Sequence, residues 1–350
     1  MPDTISRERF ESYYQRRNTT PLVGFLVGSY YPLKRYRGAD TLPNGPFRPS
    51  DLDVDAFLPD YDRLHALHAQ CPGDMVFGAS AFWGVPWLEA ALGCEVEADH
   101  LTGSSRSHIP PGEGWPTIPE FSHENPWVAR NLDMLRAIAP QARGRYPMGV
   151  SLMRGISDLL SALLGLDRTI YGMLDAPAEI DALCERLADF WIAFGQAQLD
   201  EVVPFHGGYG SFGYYLWAPD RCIWLQEDAA ALLSPELYER FSLPHDRRIA
   251  SAFPYCLMHL HPARYIPYRP LLDSELAVIE IHIDKGGPTA RDLLPVYREV
   301  LAHKPLLVWG DITRDDVQTL VDELPPEGLG LQIVVESPEE AWSIYREFWG

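Results

Sequence analysis

Two short runs of this 350-residue chain carry side chains able to do chemistry at a spacing of two. In AFPYCLMHLHPARY, His259 and His261 are separated by Leu260, and in ELAVIEIHIDKGGP, Glu280, His282 and Asp284 alternate with Ile281 and Ile283. Side chains of a β-strand alternate faces. His259 and His261 therefore share one face while Met258 and Leu260 take the other, and the second run repeats the division. A pair of neutral imidazoles two residues apart, completed by a carboxylate from the next strand, suits zinc. The same residues also suit a polar mouth in which histidines bond to neighbouring carboxylates or to a substrate. On spacing alone both readings stand.

Strands with one apolar and one chemical face need an architecture that buries the first and opens the second. A parallel barrel wrapped in helices does so, because outer faces pack on helices and the C-terminal strand ends line a mouth. The chain supplies eight candidate strands: 21–28, 75–82, 146–153, the run VVPFHGGYGSFGYYLW (202–217) with its loop, 255–261, 277–283, 304–312 and 328–337. Amphipathic stretches fall before and between them, from an opening helix at 5–17 to 289–302, 314–323 and 338–348. The expected fold is an α/β single (β/α)8 barrel over residues 1–350, with an N-terminal helix and no domain break. Residues 97–126, rich in Gly, Pro, Ser and His without clear periodicity, read as a lid-like insertion.

On that layout the rim gathers His206, His259, His261, Glu280, His282, Asp284, Asp311 and Glu336. His259, His261 and Glu280 are the candidate metal ligands. Asp228, His282, Asp284 and Asp311 are candidates for orienting substrate or carrying protons. Tyr30, Arg35, Arg154, Asp158, His206 and Glu227 are candidates for substrate contact, Asp158 alternatively as a helix cap. Lys34, Arg35 and Arg37 offer a carboxylate grip after the first strand. A literal GxGxxG at Gly208, Gly210 and Gly213 runs into aromatics and Pro219 rather than opening a helix, which argues against a dinucleotide fingerprint and for a loop crossing the mouth closely.

Composition sets the partners. A formal net charge of −20 lacks the basic footprint that nucleic acid or an anionic membrane demands. Five scattered cysteines without a CxxC pair suit a reducing compartment. The N-terminus has no apolar core of a signal peptide and no window spans a membrane, so the expected location is the cytoplasm.

The segments GMLDAPAEIDALCERL, EDAAALLSPELYERFSLPHDRRI, CLMHLH, VIEIHIDKGGP and PLLVWGDI together resemble the uroporphyrinogen decarboxylase superfamily. That resemblance implies a (β/α)8 barrel, a homodimer, and either decarboxylation or zinc-dependent methyl transfer with a corrinoid protein as partner. The decarboxylase signature places arginines where this chain has Leu26 and Tyr30. The methyltransferase branch uses His-x-Cys, a glutamate on the following strand and a late cysteine; here His259 and Glu280 match, His261 stands in place of the first cysteine, and the last has no counterpart, Gln332 and Glu336 standing near its place. The expected activity is thus metal-assisted methyl transfer or demethylation of a small O- or N-methylated substrate. The alternatives are a cofactor-free decarboxylase of a small carboxylic acid and, less favoured, a metal-dependent hydrolase, whose His-x-His generally sits on a first strand.

Overall fold

Runs of aliphatic residues between helical stretches form the sheet, and the register of its strands decides which side chains meet. The structure, a computed structural model, describes residues 6–350 except 111, 113, 212 and 264. The strands in chain order are β1 (Leu22–Val27), β2 (Gly45–Phe47), β3 (Glu95–Asp99), β4 (Ser104–His108), β5 (Met153–Arg154), β6 (Tyr209–Gly210), β7 (Trp217–Ala218), β8 (Cys222–Gln226), β9 (Tyr255–Leu260), β10 (Val278–Ile283), β11 (Leu306–Gly310) and β12 (Leu329–Val335). Seven form one sheet in the order β1-β12-β11-β10-β9-β8-β5, parallel at every pairing. With its intervening helices this is an α/β architecture consistent with a TIM-barrel-like fold.

Between β5 and β1 lie the expected second strand and the first part of the third, whose end is β5 itself, and both stretches are irregular. Their links are sparse: Asp74 N and Met75 N donate to Val23 O, Ala79 N donates to Pro147 O, and Gly149 N donates to Ala79 O. The cause is local. Pro147 has no N–H to give, and Met148 O is taken by Gly210 N at 2.8 Å. Gly210 belongs to a small antiparallel hairpin of β6 and β7 that occupies this edge.

That hairpin corrects the expected fourth strand. Residues 202–217 do not join the main sheet; CIWLQ, in β8, does. The hairpin base stands on the opening helix Arg7–Tyr14, where Trp217 meets Phe10 at 6.1 Å between ring centroids. The helix leads into the N-terminal end of β1, so the hairpin enters the sheet's concave side from that end, not across the mouth. The segment expected as a lid is corrected in part. Its first dozen residues lie in a three-stranded antiparallel sheet, β2-β3-β4, rather than in unstructured loop.

The helices Ala290–His303, Arg314–Glu323 and Pro338–Phe348 start on Thr289, Thr313 and Ser337, each accepting a backbone N–H from the first turn. They cover the outer face of β10–β12, where Ile279, Ile281, Ile283, Leu331 and Ile333 are buried. No described helix is long and apolar enough to cross a membrane.

Candidate metal and active site

In parallel pairing, residues in register point to the same side. Gln226 of β8, His259 of β9 and Glu280 of β10 are in register, and His282 of β10 faces Trp309 of β11. The alternation legible in the sequence therefore places Gln226, His259, Glu280, His282 and Trp309 on the inner face. His261 lies one residue beyond β9 and Asp228 two beyond β8, so both rise at the C-terminal edge above His259.

The two imidazoles face each other, His259 Nε2 to His261 Nε2 at 3.0 Å, and Asp228 Oδ1 is 3.7 Å from each of those nitrogens. Behind them the opposite ring nitrogens are held by acids. His259 Nδ1 contacts Glu280 Oε2, and His261 Nδ1 lies 2.8 Å from Asp284 Oδ2. His282 completes the cluster, 3.6 Å from Asp284 and 3.9 Å from Glu280 Oε1. Two overlapping groups thus bring potential ligand atoms within 4.8 Å of one another: Asp228, His259 and His261, and, deeper, His259, Glu280 and His282.

Charge follows the geometry. Burial works to lower the His261 pKa, but the Asp284 bond and the Asp228 charge outweigh it and raise the group to about 9. His282, buried and beside two other histidines, is driven down to about 3. Burial raises Glu280, while the His261 bond lowers Asp284. Two nitrogen lone pairs at 3.0 Å need a positive particle between them, a proton or a metal ion.

Tyr214, which sequence reasoning passed over, reaches this cluster from the hairpin. Its hydroxyl lies 2.8 Å from His259 Nδ1 and donates to Glu280 Oε2 at 3.0 Å, and burial holds its pKa well above the usual value. The Tyr214, Trp224 and Trp309 rings all contact His259. They bound a cavity of about 20 Å³ that Leu26 and Trp83 also line. A shallower cleft of about 120 Å³ shares Trp83 and is lined by Glu89, Ser104, Ser105, Leu152 and Arg154.

The remaining expected residues divide. Asp158 carries no cap for its own helix; its carboxylate accepts from Asp228 N (2.8 Å) and Ala229 N (3.0 Å), fixing the turn that presents Asp228. Arg154 is paired with Glu89 at 3.0 Å beside the cleft. Tyr30 donates to Asp311 Oδ2 at 3.3 Å and stacks on Tyr31, with Trp309 edge-on to it. Glu227 turns away from the rim, fully buried, accepting from Ser157 and bonded to Asp246; burial raises both acids, Asp246 to about 7.

Arg35 is buried and committed to Val27 O, Ser29 O and the Tyr215 hydroxyl, a structural post rather than an open carboxylate grip. His206 is exposed on the turn leading into the hairpin, with φ +50° and its ring against Phe205, and does not end a strand of the main sheet. Glu336 is exposed past β12.

No family model and no curated protein matches the chain. Among solved structures it is similar to a methyltransferase from Methanosarcina mazei, with a TM-score of 0.64 over 97% of this chain and 98% of that one at 12% identity. At that identity the likeness is one of fold.

Proposed function

We propose that the chain is a metal-assisted methyltransferase or demethylase of the uroporphyrinogen decarboxylase superfamily, acting on a small O- or N-methylated substrate with a corrinoid protein as methyl carrier. The observation that carries this reading is the convergence of His259 Nε2, His261 Nε2 and Asp228 Oδ1. Ligands about 2.0–2.1 Å from a tetrahedral zinc lie about 3.4 Å apart, and the three separations here are 3.0, 3.7 and 3.7 Å. Asp228 Oδ1 is moreover buried without a hydrogen-bond partner, as expected of an atom reserved for a cation. Glu280, the ligand suggested by spacing, serves on this reading behind His259, as Asp284 serves behind His261. Such carboxylate–histidine pairs fix the ring orientation and raise the basicity of the ligating nitrogen.

Zinc bound there supplies Lewis acidity, polarising a methylated heteroatom or lowering the pKa of a nucleophile. The chain's own residues do the rest. Asp158 holds the Asp228 turn, and Trp224, Trp309 and Tyr214 wall the inner side of His259 with aromatic surface. The cavity they bound, about 20 Å³, exceeds the roughly 10–15 Å³ that a single water requires; it suits a methyl-sized group, with the substrate body in the cleft beside Arg154. His282 and Asp284 stand where a proton is to be moved, and Tyr30 and Asp311 bound the opposite rim. Of the three cations that a decarboxylase would use to grip a carboxylate, Arg35 is committed to backbone carbonyls and the Tyr215 hydroxyl, which leaves Lys34 and Arg37.

On the same reading the seven-stranded parallel sheet closes into an eight-stranded barrel, with the 74–79 segment as the eighth strand and 147–149 extending β5 toward it. The protein works as a cytoplasmic homodimer, and its unpaired cysteines suit a reducing compartment. Elemental analysis of protein purified without chelators is expected to find about one zinc per chain in wild type and little in His261→Ala. A native protein that neither contains nor takes up zinc removes the mechanism.

A further inference from the structure

We propose that Tyr214 is a positioning residue whose hydroxyl, together with Glu280, holds the His259 ring as the tautomer protonated on Nδ1, leaving Nε2 as the lone pair turned toward His261 and Asp228. The consequence for metal affinity rests on the zinc reading above; the tautomer does not.

Three observations carry it. First, Tyr214 is fully buried and its oxygen lies within bonding distance of both His259 Nδ1 (2.8 Å) and Glu280 Oε2 (3.0 Å), donating to the carboxylate and thereby offering a lone pair to the ring N–H. The Nδ1 proton then has two acceptors, whereas Nε2 has only His261 Nε2 within hydrogen-bond distance, Asp228 Oδ1 lying beyond it at 3.7 Å. Second, the ring is clamped: it lies nearly parallel to His259 (29° between planes) and edge-on to Trp224 and Trp309 at 4.6 and 5.5 Å.

Third, the hairpin that delivers it is held in an unfavourable conformation. Gly213 and Tyr215 flank Tyr214 with φ of +75° and +55°. A bulky residue in the left-handed region is strained and persists only where its surroundings enforce it. Gln332 of β12 enforces it here, its side chain donating to Gly213 O at 2.9 Å, and Tyr215 anchors to Arg35 at 2.7 Å. Without the Tyr214 phenol the Nδ1 proton keeps Glu280 as its one acceptor, so the preference for Nδ1–H weakens, and any proton on Nε2 points at His261, where it obstructs a cation.

The test compares wild type, Tyr214→Phe and Tyr215→Phe. Tyr215 shares the hairpin and the burial, but its hydroxyl bonds to Arg35 instead of the histidine pair, so it reports on hairpin packing. Zinc affinity is measured by competition with a chromophoric chelator. The zinc-free proteins, labelled with 15N-histidine, are read by long-range 1H–15N correlation, with the His259 signals assigned by their loss in His259→Gln. Removing a group that orients a metal ligand typically weakens metal binding about 10–100-fold.

That loss is expected in Tyr214→Phe, with less than a twofold change in Tyr215→Phe. The His259 pattern should be Nδ1–H in wild type and Tyr215→Phe, and shifted toward Nε2–H in Tyr214→Phe. An unchanged pattern in Tyr214→Phe overturns the proposal, as do equal effects of the two substitutions on both readouts. If wild type binds no zinc, the metal reading fails while the nitrogen shifts still decide the role of the tyrosine.

Discussion

His68 makes acid sensitivity a quantitative prediction. It ends the helix Val54–His68 with its ring buried: Nδ1 lies 2.7 Å from Leu64 O and must donate, so Nε2 is left to accept from Val27 N at 3.1 Å, with the Arg35 guanidinium at 3.2 Å. Every bond fits the neutral ring. Protonation adds a charge in a buried site and turns the acceptor into a donor facing donors. Burial first, and the Arg35 charge second, lower the pKa from 6.5 to about 3.

The unfolded chain protonates this histidine around pH 6.5 while the folded chain does not. Stability is thus fully present above pH 6.5 and is lost as pH falls toward 3. At about 1.4 kcal/mol per pKa unit, the loss from this one group reaches about 2 kcal/mol at pH 5 and about 3 kcal/mol at pH 4. Denaturant unfolding of wild type and His68→Gln at pH 7.5 and pH 5 isolates it, because titrations elsewhere are common to both proteins. The glutamine variant is less stable at pH 7.5, and its deficit should shrink by about 2 kcal/mol at pH 5. A deficit of the same size at both pH values would refute the assignment of His68 as a neutral structural acceptor.

Two further outcomes follow from named contacts. Asp228→Asn should lower zinc affinity by at least about tenfold while leaving the fold intact, since the side chain meets the histidine pair only through an unpartnered oxygen; if Glu280→Gln abolishes binding and Asp228→Asn does not, the ion belongs in the deeper His259, Glu280 and His282 set. Trp217→Ala should cost about 3–5 kcal/mol in denaturant unfolding, because its fully buried ring joins the hairpin base to Phe10 and its indole N–H donates to Phe205 O at 2.7 Å; a cost below about 1 kcal/mol would mean the hairpin does not depend on the opening helix.

Much of the fold was legible because β10 to β12 are runs whose outer residues are largely aliphatic, and the helices after them begin on Thr or Ser with an acid in the first turn. Errors fell where local pattern and tertiary role part. The aromatic run YYLW has strand-like composition and lies before CIWLQ, yet it turns inward as a hairpin that fills the sheet's concave side. The strand Ser104–His108 has no buried residue, so no alternation marks it. Its partner β3 buries only Val96 and Ala98, and its place comes from pairing with β2 and β4, which no window of sequence reports.

For the site, residue types were legible in the sequence and which of them stand level with one another was not, and the reason is register. His259 pairs with Gln226 on one side and Glu280 on the other, so those three share a level while Asp228, His261 and His282, each two residues further along, share the next. Spacing within a strand shows that His259 and His261 point the same way but leaves open which acid stands level with which. With Glu280 level with His259, its carboxylate meets the inner Nδ1 and is drawn behind the ring. Asp228, carried past the end of β8 and pinned by Asp158, comes level with His261, where its oxygen meets both outer nitrogens. A shift of β8 by one residue would turn Asp228 out of the concave side altogether. Its place in the site therefore depends on Cys222–Gln226 pairing as it does with Tyr255–His259, a pairing in which the hairpin mistaken for the fourth strand takes no part.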